Sequence, residues 1–199
     1  MDQQSQSEPP PNMEPLSPAD FRIYNRLAKQ MENIHNGFRA TWAELKTACD
    51  PPPSRSQFST PSPLTKGNPD NTDSDIILLG LSFCSDLSNH HSIEERYIFP
   101  LLAERMPEFA AGGALTEQHE VIHDGLIRLG AYLRGCERKL DGDEDGWRLD
   151  RGVLRRLLEG EDGKFESVLW EHLDQEVELL RPESLRRVWG VEDVRRFAM

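Results

Sequence analysis

Apolar side chains return every three or four residues in four separate stretches of the chain, the spacing that lines them along one face of an α-helix. The first stripe is Tyr24, Leu27, Met31, Ile34, His35, Phe38, Trp42 and Leu45, ending near Thr47. It opens at Ser17-Pro18-Ala19-Asp20, where a serine cap, a proline at the first helical position and a nearby carboxylate suit the free amides of a helix start. The second begins at Asp73 or Ser74 and carries Ile76, Leu79, Phe83, Leu87, His90, Glu94 and Ile98 until Pro100 bends or interrupts it. After breakers at Pro107, Gly112 and Gly113, a third helix is predicted from Leu115 to Leu140, with Leu115, Ile122, Leu126, Leu129 and Leu133 inward. The fourth starts near Asp150 and runs through Phe165, Leu169, His172, Glu176 and Leu179, with a bend expected at Gly160 or Gly163 and a stop at Pro182. Short helical turns are expected in PESLRRVW and VEDVRRF. No β-type alternation occurs. The pattern predicts an all-α fold, an antiparallel up-down-up-down four-helix bundle with a short C-terminal helical extension.

The segments between the stripes set the expected boundaries. Residues 1–16 are polar and proline-rich and cannot bury enough surface to offset the entropy of ordering, so a disordered tail is expected there. Residues 48–72 are rich in Pro, Ser and Asn and read as a flexible surface loop inside a bundle domain of residues 17–182; residues 183–199 form the extension. The turn DGDEDG matches the first half of a calcium loop at Asp141, Asp143, Asp145 and Gly146. Its ninth and twelfth positions are Leu149 and Gly152, where a calcium loop needs oxygen ligands, so an acidic helix-to-helix turn is the better reading.

Charge narrows the function classes. A formal net charge of −12 over 199 residues argues against nucleic acid and membrane surfaces as partners, since both are met with basic patches. Cys49, Cys84 and Cys136 are odd in number and far apart, without the close pairing of a disulfide framework or a thiolate zinc site. With no export or import signal in the N-terminal residues and no membrane-length apolar run, a cytoplasmic location is expected.

The histidines carry the chemistry. All six lie in helical stretches: His35 in the first, His90 and His91 in the second, His119 and His123 in the third, His172 in the fourth. Most share the register of apolar neighbours, where an unpaired imidazole is costly. His90 and Glu94, His119 and His123, and His172 and Glu176 are each four residues apart, hence on one helix face. With His35 they offer five imidazoles and two carboxylates, about what two transition-metal ions with bridging carboxylates require. His91 and Glu95 repeat the same spacing one residue along, so the register of the second helix stays open between the two pairs.

Three segments, HHSIEERYIFPLL, QHEVIHDGL and WEHLDQEVELLRP, together with His35, resemble the signatures of the hemerythrin-like (HHE cation-binding) family over about residues 18–182. The resemblance implies a four-helix bundle holding two iron ions bridged by oxo and carboxylate groups. His119, His123 and His172 would hold one ion, His35 and His90 the other, with Glu94 and Glu176 between them. The family's oxygen carriers place the last carboxylate five residues after its histidine; here Glu176 follows His172 by four, so the likeness is to the broader group. The expected function is binding or sensing of dioxygen or iron. The competing expectations are a di-iron oxygenase or oxidase acting on a small organic substrate, and a module whose fold is conditional on iron.

Overall fold

The computed structural model describes residues 14–50, 72–142, 146–160 and 163–197. The expected tail as far as residue 13, most of the 48–72 connection and positions 143–145 of the acidic turn lie outside the described residues. Among the described residues there is no strand, and no helix is long and apolar enough to cross a membrane.

Helix α1 spans Pro18–Ala48 and starts where expected, the Ser17 hydroxyl accepting the Asp20 amide at 3.1 Å. Helix α2, Asp73–Ile93, is capped by Thr72 rather than by Asp73 or Ser74. Thr72 Oγ1 accepts the Asp75 amide and the Asp75 carboxylate accepts the Thr72 amide, so two orphan donors are satisfied reciprocally. Beyond Ile93 the chain widens into a five-residue π-helical turn, Glu94–Ile98, then closes again as the short α3, Phe99–Leu102. Pro100 has no amide to donate, and inside a regular α-helix its ring would press on the carbonyl four residues back; here it stands in the first turn of α3, just after the wide turn.

Helix α4 spans Ala114–Asp141. The expected fourth helix is two helices, α5 (Arg151–Glu159) and α6 (Lys164–Leu180). The break lies at Gly160 and Gly163, whose φ angles of 79° and 71° fall in the left-handed region that glycine tolerates. Two short helices follow, α7 (Pro182–Leu185) and α8 (Val191–Arg196).

The long helices form a ring: α1 packs on α2, α2 on α4, α4 on α6, and α6 back on α1. Glycines permit the closest approaches. A Cβ at Gly80 of α2 would lie 2.5 Å from Leu133 Cδ1, and one at Gly125 of α4 would lie 2.4 Å from Phe165 Cδ2. Most of the predicted stripes face inward, although Ile34 is 38% exposed because its neighbour His35 takes the inward position.

The apolar filling is divided in two. One cluster holds Trp42, Leu45, Phe83, Leu87, Ile122, Leu126, Phe165 and Leu169. The other holds Tyr24, Leu27, Met31, Phe99, Leu102, Leu115 and Leu180, and is completed by Leu185, Trp189, Val194 and Phe197 from the C-terminal segment. That segment is held to α1 by Tyr24, whose hydroxyl donates to the Trp189 carbonyl at 2.8 Å, and by Arg26, which donates to the Val194 and Phe197 carbonyls. Each fully buried Leu or Phe contributes roughly 1.5–3 kcal/mol. The two clusters can therefore offset a costly polar layer between them.

Candidate metal centre

That layer is built from the residues between the clusters. On α1, His35 falls between Met31 and Trp42; on α2 and its π-turn, His90, His91 and Glu94 fall between Leu87 and Phe99; His119 lies between Leu115 and Ile122, and His172 and Glu176 between Leu169 and Leu180. His35, His91, Glu94, His119, His172 and Glu176 are buried polar residues, with Glu94, His172 and Glu176 fully enclosed. They form two groups, each with its ligating atoms within 4.8 Å of one another: His91, Glu94, His119 and His172, and His35, His90, Glu94 and Glu176. Glu94 belongs to both. Glu176 also reaches across, its Oε2 lying 3.4 Å from His35 Nε2 and 3.8 Å from His172 Nε2.

Of the seven residues expected here, six come together and His123 does not: it is exposed on α4. Four residues advance a helix by one turn plus about 40°. The buried stripe of α4 (Leu115, Ile122, Leu126) lies to one side of His119, and His123 lies to the other, where it turns toward water. The place expected for it in the group of His119 and His172 is taken by His91 of α2. Both histidines of the adjacent pair face inward, so the open choice between His90/Glu94 and His91/Glu95 resolves into His90, His91 and Glu94 inside. Glu95 stands behind, accepting a hydrogen bond from His119 Nδ1 at 2.7 Å. The signal for His91 was its adjacency to His90; the π-turn that begins at Glu94 left no mark in the spacing.

Hydrogen bonds fix the tautomers. His35 Nδ1 donates to the Leu173 carbonyl at 3.0 Å, His119 Nδ1 to the Glu95 carboxylate, and His172 Nδ1 to Gln118 Oε1 at 3.2 Å. The Gln118 amide is oriented in turn by its donation to Gln175 Oε1 at 2.8 Å. Each partner is an acceptor only, so each Nδ1 carries the proton and each Nε2 presents a bare lone pair to the interior. His90 Nε2 can donate to His35 Nε2 at 3.1 Å, but His119 Nε2 and His172 Nε2, both without a proton, also lie 3.1 Å apart. Facing lone pairs repel at that separation. A shared cation removes the conflict: with bonds of about 2.0–2.1 Å to imidazole nitrogen, two ligands at right angles stand about 3 Å apart.

Electrostatics agree with that fit. Burial pushes His90 down to about 3, helped by the neighbouring His35 and His119, and holds His91 and His172 well below the ordinary histidine range. Burial also depresses His119, against the opposing pull of Glu95. Burial first, and then the Glu176 carboxylate, raise Glu94 well above the ordinary glutamate range. Neutral imidazoles around crowded carboxylates make a donor set suited to a cation. All four carboxylate oxygens of Glu94 and Glu176 and the Nε2 of His91 are buried without a hydrogen-bond partner; Glu94 Oε1 lies 2.9 Å from His90 Nε2 but outside hydrogen-bond geometry. Such orphans are rare in native proteins and point to a missing ligand. The donors are nitrogen and oxygen throughout, and neither group includes a thiol; Cys49, Cys84 and Cys136 are buried and free.

The hemerythrin HHE cation-binding domain model matches residues 27–183, the span that contains every residue of both groups. Neither the comparison with curated proteins nor the comparison with solved structures gives a match. On the strength of a match over most of its length, the chain belongs to the hemerythrin HHE cation-binding domain family.

Proposed function

We propose that the chain is a non-haem di-iron protein of the cytoplasm that binds or senses dioxygen or iron, on an up-down-up-down arrangement of α1, α2, α4 and the α5–α6 pair. His91, His119 and His172 hold one ion, His35 and His90 the other, and Glu94 and Glu176 lie between them. The observation that carries this is the 3.1 Å contact between the lone-pair-bearing Nε2 atoms of His119 and His172 beside four orphaned carboxylate oxygens. Imidazole and carboxylate without thiolate suit iron, and an iron pair in such a cage supplies a reversible one-electron couple at each ion and an affinity for small diatomic ligands. The protein's own part is to hold the imidazoles deprotonated toward the interior and to keep bulk water out with an apolar cluster on either side.

The runner-up is an oxygenase or oxidase acting on a small organic molecule, which needs a substrate cavity open to the ions. A cavity of about 480 Å³ runs beside Glu95, Pro100, Ala103 and Glu120, but Glu95 and Phe99 stand between it and the cluster. Binding or sensing is therefore the preferred reading.

Metal analysis of the purified chain after supply of ferrous iron tests it. Wild type should hold two equivalents and show an absorption change in oxygen that reverses when oxygen is removed, whereas His119→Ala should hold less iron and lose the change. Wild type that retains no iron would refute the proposal. Irreversible oxidation with turnover of an added substrate would move the assignment to the oxidase.

A further inference from the structure

Three imidazoles of the cluster have identified acceptors at Nδ1, and the acceptors are not alike. His35 is backed by a backbone carbonyl, His172 by a neutral amide and His119 by a carboxylate. The His119 contact is also the shortest of the three, at 2.7 Å against 3.0 and 3.2 Å. The consecutive Glu94 and Glu95, at the start of the π-turn, both address the same ring. Glu94 Oε2 lies 3.5 Å from its Nε2 and Glu95 Oε1 2.7 Å from its Nδ1. The ring is held flat as well, nearly parallel to His91 at 3.9 Å between centroids and to Phe99 at 5.1 Å. The Glu95 side chain is half exposed, 51%, and borders the cavity, while the His119 ring that it touches is 3% exposed.

We propose that Glu95 is a positioning residue that tunes one of the two metal positions, by giving the ion at His91, His119 and His172 the only imidazole among these three that is backed by an anion. This rests on the di-iron reading above. A carboxylate behind an imidazole raises the basicity of its metal-facing nitrogen and fixes its tautomer. A more basic donor favours the ferric over the ferrous ion. Glu95 thus makes the position served by His119 easier to oxidise than a neutral partner would, each ion exchanging one electron with an external donor or acceptor.

The test is a mediated redox titration of the iron-loaded, full-length chain as wild type, Glu95→Gln and Glu120→Gln. Glutamine keeps an acceptor oxygen in place and removes the charge; Glu120 borders the same cavity but bonds to no histidine of the cluster. In Glu95→Gln one of the two midpoint potentials should rise by at least the equivalent of a tenfold loss of preference for ferric ion, about 59 mV for a one-electron couple. The other potential and Glu120→Gln should stay at wild-type values. Unmoved potentials, equal movement of both, or the same movement in Glu120→Gln would overturn the inference while leaving the di-iron reading intact. Wild type without iron would overturn both. Should Glu95→Gln take up iron poorly, a cobalt titration decides: tenfold weakening of one equivalent supports the inference, and equal weakening of both opposes it.

Discussion

His91 and His123 show how far residue-level reasoning reaches. Both sit among charged and apolar neighbours, both lie one helical turn from another candidate ligand, and the choice between them turns on an offset of about 40° around a helix. Histidine and glutamate in register with a stripe were legible for His35, His90, Glu94, His119, His172 and Glu176. An edge position such as His123 is decided by where the centre of the stripe falls, which depends on the neighbouring helices. Substitution of His91 by Ala, which removes a direct donor, is therefore expected to cost one metal equivalent more than the roughly 10- to 100-fold in affinity that loss of an outer partner costs. His123→Ala, at an exposed position, should leave metal content unchanged and stability within about 0.5 kcal/mol. Equilibrium metal titration with thermal melting of the two variants checks both. Gly125 makes the opposite point about a residue that looks incidental. Alanine in a helix interior ordinarily gains up to about 1 kcal/mol over glycine. Here its Cβ would lie 2.4 Å from the Phe165 ring, so Gly125→Ala should instead destabilise by about 1–3 kcal/mol in denaturant titration.

The elements were legible wherever local chemistry decided them. Ser17-Pro18 started α1, Pro182 followed the end of α6, and Gly160 with Gly163 split the last stripe, although into two helices rather than a bent one. The π-turn was not legible, because five residues wound wide carry the same letters as five wound tight. It nevertheless begins at Glu94 and Glu95, the two carboxylates that face His119. Deleting Arg96, an exposed residue of that turn, should let the segment close as an α turn, return Phe99 and Leu102 to their cluster and swing Glu95 off His119. Helical content by circular dichroism should be nearly unchanged, with metal affinity lower by at least tenfold. Unaltered affinity would mean that the wide turn is only an accommodation of Pro100.

For the whole molecule, the buried imidazoles set the response of the metal-free chain to acid. His90, His91, His119 and His172 have folded-state values below the unfolded value of about 6.5, so below that pH the unfolded chain binds more protons. Stability should thus fall as pH drops from about 6.5 toward 3. Glu94 acts in the opposite sense, being raised, and its contribution fades as pH climbs above about 4.5. Between those limits four imidazoles outweigh one carboxylate, and each net proton is worth about 1.4 kcal/mol per pH unit. Denaturant midpoints of the metal-free chain at pH 7.5, 6.0 and 5.0 should decline in that order. A flat profile would contradict the burial of these rings.

The division of the apolar interior by a polar layer has a mechanical corollary. Loaded with metal, the layer is a cross-brace tying all four long helices at one level, and both halves should melt as one body. Stripped of metal, it becomes a weak seam of repelling lone pairs and crowded oxygens between two greasy ends. Amide exchange in the stripped chain should then separate into two protection classes, one per end. The end finished by Trp189 and Phe197, clamped through Tyr24 and Arg26, would loosen on its own schedule.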